Sequence, residues 1–567
     1  MLTLKKIVVS CVLLLAAASC ATVEKDLLKP QSAAMKKWQD MRFGMFIHWG
    51  PVSLTGHEIG WSRGRQTPIE EYDQLYKKFN PTEFDADQWV KIAKDAGMKY
   101  MVLTTKHHDG FCLWDTKQTD YNIMNSPFGR DVVKELATAC KKQGIRFGTY
   151  YSVCDWHHPD YPKGSPAGQT DKPNPNIDGY IDYLRNQVTE LITNYGPLHT
   201  MWFDVPREVY SEHGKPTVEL VRRLQPDILI NNRAYLEKKR DQTHRFGDYT
   251  TPEQRVGGFD RQRPWETCMT ICRQWAWKPD DNMKSTKQCI QTLLQTVGGD
   301  GNLLFNVGPM PDGLIEPRQV ERLKEMGAWL KKYGDTVYGT RGGPFMPGQW
   351  GASTCKKNKI YLFVMNWPKE GPLQIPAAGI KVKKAKVKTG GTVKMIRTEK
   401  MIELDISKDN QDPIATVIEL TVEGKAFEIE PVKVVTESNS VASGKQAKAS
   451  HRFSKGAEYA PAKAFDDDPQ TRWATPSGTK AAWLEVDLGK KMKIDQALIN
   501  EGHWDRIKSF ELQYKVGSQW KIAHAGRKIN PTKRFDFDPV TARHFRLNIL
   551  RATEGPTIWE MQLFEAK

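Results

Sequence analysis

Residues 99–114 read KYMVLTTKHHDGFCLW. Lys99–Thr105 is a short apolar and β-branched run of the kind that forms a buried strand. Two adjacent histidines, His107 and His108, and then Asp109 stand just beyond its end. Three chemistries suit such a pair: metal ligation, proton transfer, or hydrogen bonding to a polar substrate. The same arrangement recurs along the chain. The runs 43–49, 145–151, 199–205, 227–233 and 302–308 end on or near His48, Tyr151, Asp204, Asn231 to Arg233, and Asn306. Amphipathic stretches such as Ala86–Ala96, Val132–Gln143, Tyr180–Asn194 and Pro216–Leu224 separate them. Strand–helix alternation over residues 33–335 predicts a (β/α)8-type barrel. An open doubly wound sheet is the runner-up, but no Gly-rich phosphate turn follows a strand. Strands six and seven show no clear run. A barrel collects the C-terminal ends of its strands on one face, where active sites lie, so the scattered polar residues become one constellation.

The chain has 567 residues, enough for several domains. After the alternation stops, residues 336–435 carry short β runs and read as a β-sandwich. Residues 436–446 read as a polar linker, and 447–567 as a second β domain. Met1–Lys6 carries two lysines, Ile7–Ala18 is apolar, and small residues lead to Cys20. That pattern predicts a signal peptide over 1–20 with lipidation of Cys20, because the apolar run is too short to span a bilayer. The expected location is a bacterial periplasm or cell surface, reached by a membrane anchor on Cys20. The remaining cysteines are odd in number and contain no C-x-x-C pair, so neither a disulfide framework nor a structural zinc site is expected. The net charge of +16 is diffuse. Its densest patch, Lys381–Lys388, alternates like an edge strand defended by lysines, and no nucleic-acid partner is expected.

Asp204 ends a buried run, behind Trp202 and Phe203. Glu253 in TTPEQ and Glu266 in RPWETC follow, both expected in aromatic, proline-rich loops. Two carboxylates in different surroundings are what retaining glycoside hydrolysis needs: one ionised to attack, one kept protonated to donate. Trp265 would supply the less polar setting for Glu266. Metal-binding histidines usually sit at i, i+4 on a helix or beside a carboxylate cluster, which His107 and His108 do not. Adjacent strand residues point to opposite faces, so the two share a ligand only if the backbone turns, which Gly110 allows. Imidazoles with Trp49, Trp61, Trp156 and Trp202 suit a sugar, whose hydroxyls want donors and acceptors and whose C–H faces stack on rings.

FIHWGPVSL, KHHDGFCLW, YYSVCDWHHP, MWFD, PWETC and LLFNVGPMPDG, in this order, resemble glycoside hydrolase family 29, the α-L-fucosidases. The resemblance covers about residues 33–430. It implies a retaining mechanism with no cofactor and a fucosylated glycan as substrate. It places Asp204 at the nucleophile position and His48, His107, His108, Trp202 and Arg233 at positions that hold fucose hydroxyls. Tyr151 and the stretch from Glu58 to Trp61 match more loosely. Glu266 resembles the acid/base of many members, but that glutamate shifts within the family, so Glu253 and Glu58 stay in play. Val205 departs from the Gly or Trp frequent after the nucleophile. Two rival readings share the scaffold: an inactive fucose-binding protein, and a retaining exo-glycosidase of another specificity, such as a galactosidase.

AFDDDPQTRWAT (464–475), WLEVDLGK and the terminal WEMQLFEAK resemble the discoidin, or coagulation factor 5/8 type C, domain. Many such domains hold a structural calcium. Asp466, Asp468, Thr471 and Glu565 offer the hard oxygens calcium takes.

Overall fold

All six runs fold as strands of one parallel sheet: β1 (Phe43–Ile47), β2 (Tyr100–Lys106), β3 (Arg146–Ser152), β4 (Thr200–Asp204), β5 (Leu229–Ile230) and, later, β7 (Asn302–Val307). The computed structural model describes residues 32–166, 171–238, 241–245, 247–368, 371–434, 440–454, 456–468, 471–529 and 531–566. The expected leader with Cys20, and residues 436–439 of the expected linker, lie outside the described residues. The described chain forms two compact units, one holding residues up to 344 with 353–361 and 424–428, the other 345–352, 362–423 and 429–567.

The expectation that Glu266 lies in a loop is corrected. Glu266–Thr270 is a further strand, β6, paired in parallel with β7 from Glu266↔Asn302 to Thr270↔Asn306. The strand order is β5-β4-β3-β2-β1-β7-β6. Between β5 and β6, residues 248–254 occupy the eighth position through single parallel bridges, Asn231↔Tyr249, Thr250↔Trp265 and Glu253↔Cys268. Their backbone bonds run from Asp248 N to Ile230 O at 2.8 Å, from Glu266 N to Thr250 O at 2.8 Å, and from Cys268 N to Pro252 O at 3.1 Å. Pro252 has no N–H to give, so this segment closes the barrel without becoming a regular strand.

Every residue of β1, β2, β4, β5, β6 and β7 is buried, as parallel strands covered on both faces require. Among the described residues, seven helices of ten or more residues accompany them: α1 (Ser32–Met41), α2 (Ala86–Asp95), α3 (Val132–Gln143), α4 (Ile177–Tyr195), α5 (Ser211–Leu224), α6 (Thr286–Gly298) and α7 (Pro317–Tyr333). Asp85, Asp131 and Asn176 cap α2, α3 and α4, and Ser285 with Gln288 forms a capping box on α6, each supplying an acceptor to a helix-end N–H. Phe46, Tyr100, Val102, Tyr150, Trp202, Leu229, Tyr249, Cys268 and Leu304 fill the barrel. Met35 and Trp38 of α1 join that cluster at the strand starts, where Asn302 donates to Trp38 O at 2.8 Å.

The second unit is built from β-strands. Leu373–Pro376, Met401–Asp405 and Lys394–Arg397 make a three-stranded antiparallel sheet. Val382–Val387, within the lysine run, pairs with Thr416–Val422 and ends its sheet, as its alternation predicts. From Gln446 onward a larger antiparallel sheet is organised by the long strands Ala482–Asn500 and Thr532–Ala552. Its core includes Phe465, Trp473, Leu484, Phe510, Phe545 and Leu547.

Candidate active site

Asp204 is the last residue of β4, and β3 delivers its neighbours in register: Tyr150 opposite Trp202 and Ser152 opposite Asp204. Residues i and i+2 of a strand share a face, so Tyr150, Ser152, Trp202 and Asp204 all point into the barrel. The Tyr150 hydroxyl donates to Asp204 Oδ2 at 2.8 Å, and Arg233 Nη1 donates to Oδ1 at 2.7 Å. Burial alone would push the Asp204 carboxyl up. The Arg233 guanidinium, His108 and these hydrogen bonds outweigh it and hold the group below the usual carboxylate range. Asp204 is thus an ionised carboxylate in a water-poor setting. Val205 just after it takes φ 44, the left-handed region, which a β-branched side chain occupies only under strain.

The phase of β3 corrects one expectation. Tyr151 points outward: its hydroxyl donates to Gln187 on α4 at 2.8 Å, and the Lys106 ammonium stands 4.3 Å from its ring centroid. Tyr150, one residue earlier, is the tyrosine of the site. Its signal was available, since Trp202 and Asp204 already fix which parity of the neighbouring strand faces inward.

His107 and His108 follow β2, and the backbone turns there, with Gly110 N bonding His107 O at 3.0 Å and Gly110 at φ 83. The turn brings both rings to one side, 4.0 Å apart. The His107 ring lies parallel to Tyr150 at 5.5 Å and 5.6 Å from His48. The protons of two imidazoles can be assigned. Ser152 Oγ donates its single hydrogen to Cys154 O at 2.6 Å, so His108 Nδ1, 2.7 Å away, donates to Ser152. Asn306 Nδ2 donates to Trp275 O at 2.8 Å, so Asn306 Oδ1 accepts from His48 Nδ1 at 2.6 Å. Burial lowers His48 to about 3, against the Asn306 bond, and His108 to about 4, against the Asp204 charge; His107 is driven down too. The neutral rings of His48 and His108 therefore keep an Nε2 lone pair for a ligand hydroxyl. His108 Nε2 lies 3.8 Å from Asp204 Oδ2.

Trp61 and Trp156 wall the His108 side, with ring centroids 5.3 and 5.1 Å from it. Trp275, in no motif of the sequence, covers His48 at 4.7 Å. Glu58 holds that cover in place. Its oxygens accept from Trp275 N at 2.8 Å, Ala276 N at 2.9 Å and Ile59 N at 3.1 Å. Burial pushes the Glu58 carboxyl up to about 7 despite those bonds. Glu58 staples two loops and has no hydrogen bond or ion pair to Asp204 among its recorded partners.

The assignment of acid/base to Glu266 does not hold. Glu266 opens β6 and so lies at the floor of the barrel, at the opposite end of the strands from Asp204. It is 1% exposed, Trp202 Nε1 donates to its Oε1 at 3.1 Å, and the Tyr100 hydroxyl donates to its Oε2. Trp202, also 1% exposed, has its N–H committed downward, so it cannot hold a sugar hydroxyl by that group. Glu253 lies at the other end. It rides the segment in the eighth barrel position, is 43% exposed, and accepts from Arg233 Nη1 at 3.0 Å. One nitrogen thus bridges Asp204 and Glu253, with their two oxygens no farther apart than the two bond lengths combined. Thr251 fixes that guanidinium, accepting from Nε and Nη2 at 2.8 Å each.

In the second unit the expected calcium oxygens separate. Thr471 Oγ1 meets Asp466 Oδ1 at 2.7 Å and approaches Lys463 O and Asp468 O at 3.3 Å each. Glu565 is exposed near the end of the last strand, opposite Ile494. The glutamate beside the aspartates is Glu560. It is 4% exposed, its Oε2 has no hydrogen-bond partner, and burial together with Asp467 and Asp466 raises it to about 9. Among the described residues, no group of three or more His, Cys, Asp or Glu side chains is disposed as metal ligands.

Two carboxylates bridged by one guanidinium on the strand-end face of a barrel, beside neutral imidazoles and tryptophans, define a glycoside hydrolase. The sequence model of the α-L-fucosidase family matches residues 14–335. The chain belongs to that family, and residues 446–561 match the F5/8 type C domain. It is 30% identical over 382 residues to human plasma alpha-L-fucosidase, covering 59% of this chain and 77% of the relative. It is similar to the solved alpha-L-fucosidase isoenzyme 1 of Paenibacillus thiaminolyticus, at TM-score 0.63 and 35% identity over 69% of this chain and 99% of that one. It is also similar to a family 29 α-L-fucosidase of Bacteroides thetaiotaomicron solved as a trapped covalent intermediate, at TM-score 0.63 and 31% identity over 70% and 97%.

Proposed function

We propose that this chain is a retaining exo-α-L-fucosidase in which Asp204 is the nucleophile and Glu253 the acid/base. The observation that carries the assignment is the shared guanidinium: Arg233 Nη1 is 2.7 Å from Asp204 and 3.0 Å from Glu253. Retention needs two carboxyl groups about 5–5.5 Å apart. In the first half-reaction Asp204 attacks the anomeric carbon and forms a fucosyl ester. The glycosidic bond breaks, and Glu253 gives its proton to the leaving oxygen. In the second, Glu253 takes a proton from the water that attacks the same carbon, and Asp204 departs. His48 and His108 accept from sugar hydroxyls, and Trp61 with Trp156 walls the site. The covalent intermediate trapped in the Bacteroides relative supports retention.

The test compares an aryl α-L-fucoside with an aryl β-D-galactoside, using wild type and Asp204→Gly. Turnover of the fucoside alone, reduced about 1,000-fold or more by the substitution, is expected. Equal or better galactoside turnover would make it a glycosidase of another specificity. Fucose binding without turnover would make it a binding protein.

Calcium belongs to this reading for the F5/8 type C domain, with Asp466, Asp468, Thr471 and Glu560 as the oxygens that would have to draw together around the ion. A buried, unpaired Glu560 oxygen among aspartates is costly without a cation. The ion would tie the segment at 463–468 and Thr471 to the last strand. The reading also includes a leader over 1–20, a lipid anchor on Cys20, export to the periplasm or cell surface, and a linker at 436–446. The residues of the leader pattern support it, and no described helix is long and apolar enough to cross a membrane.

A further inference from the structure

Glu266 is conspicuous in the sequence and has no part in the bond-making steps, yet it is built into the barrel with care. Its two oxygens take the Trp202 indole N–H at 3.1 Å and the Tyr100 hydroxyl. The Trp202 ring stacks on Tyr150 at 5.5 Å and an 18° interplanar angle, and the Arg233 guanidinium carbon lies 5.0 Å from the Trp202 centroid. Tyr150 and Arg233 are the two groups that hold Asp204. Trp202 is therefore a slab under both holders, and its indole N–H is given to Glu266.

We infer that Glu266 is a positioning residue that acts through Trp202 on Arg233. An acceptor at the indole N–H fixes the tilt of the ring. Above about pH 7, where this buried carboxyl ionises, the anionic acceptor also pushes electron density onto the ring face, which strengthens its attraction for the cation lying over it. The guanidinium that bridges Asp204 and Glu253 is thus aimed from below, across the thickness of the barrel interior. From the strand-end side, Thr251 fixes the far edge of the same guanidinium.

The inference rests on the assignment of Asp204 and Glu253, so it is tested on enzyme whose fucosidase turnover and loss in Asp204→Gly are established first. Failure there sinks the assignment and not this inference. Glu266→Gln keeps the volume and an acceptor oxygen but removes the charge. It is expected to lower kcat about tenfold with little change in KM, the scale of one cation–π contact. The loss should be full at pH 8, where the wild-type carboxyl is ionised, and shrink toward pH 5, where burial keeps it protonated. Trp202→Phe keeps a ring and removes the N–H. The double variant should be no slower than Trp202→Phe alone, because the charge then has no N–H to act through. All assays run well below each variant's melting temperature, so a loss of stability alone gives kcat no such pH dependence. A kcat loss in Glu266→Gln that is equal at pH 5 and pH 8, or losses that multiply in the double variant, would overturn the inference.

Discussion

At the scale of single residues, the three carboxylates should separate by experiment. Glu253→Ala should slow fucosides with poor leaving groups about 100-fold or more, and activated aryl fucosides much less, because only the former need a proton on departure. It should also flatten the basic limb of the pH–rate profile. Equal losses on both substrate types would contradict its role. The imidazoles make a second prediction. Because burial holds His108 near 4 and His48 near 3, the acid limb of kcat/KM should fall near pH 4 or below. A limb at the 6.5 of an ordinary imidazole would mean that the rings are not buried and neutral. Glu266 supplies a stability signature. Its carboxyl rises from 4.5 to about 7 on burial, so folding favours its protonated form. That contribution is complete below pH 4.5 and is lost as pH rises through about 7. The melting temperature of Glu266→Gln relative to wild type should therefore rise between pH 5 and pH 8, read by calorimetry. A constant difference would show the carboxyl to be unshifted. The sequence showed Asp204, His48, His107, His108 and Arg233 because each stands at or just past a strand end. It misled at Tyr151 and Glu266, where the decisive fact is which face or which end of a strand a residue occupies. A one-residue error in phase reverses the first, and an unrecognised strand reverses the second.

At the scale of elements, six strands were legible because apolar and β-branched residues cluster there without interruption. The seventh, Glu266–Thr270, is five residues long, begins on a carboxylate and carries two threonines, so nothing in its composition separates it from a loop. The eighth position was illegible for a different reason. Residues 248–254 hold it by isolated backbone bonds around Pro252. That irregularity leaves Glu253 at the strand-end face, bonded to Arg233. Loop stapling by Glu58 was also invisible, since two of its three partners are backbone N–H groups more than 200 residues away in sequence. Glu58→Ala strands the Trp275 and Ala276 N–H groups in a buried setting, at about 1–3 kcal/mol each. It should lower the melting temperature and raise KM through loss of the Trp275 cover on His48. A normal melt with unchanged KM would show that the staple is not what holds Trp275.

At the scale of the whole molecule, the family match over the barrel and the second match over residues 446–561 separate chemistry from support. If calcium binds at Asp466, Asp468, Thr471 and Glu560, adding it to chelator-treated full-length protein should raise the melting transition of the C-terminal part by several degrees. Fucoside turnover should stay unchanged. An unmoved transition would remove calcium from the account. The glutamate of this set could not be chosen from the sequence, where Glu560 and Glu565 lie on one terminal strand. Burial among three aspartates distinguishes the first. The central claim is that Asp204 carries the sugar through a covalent intermediate. It is tested most directly by treating the enzyme with 2-deoxy-2-fluoro-α-L-fucosyl fluoride and mapping the adduct by mass spectrometry. The account predicts one fluorofucosyl group per chain, on the peptide containing Met201–Asp204 and absent from Asp204→Gly. An adduct on another carboxylate, or turnover of an α-fucoside with inversion and no adduct, would contradict it.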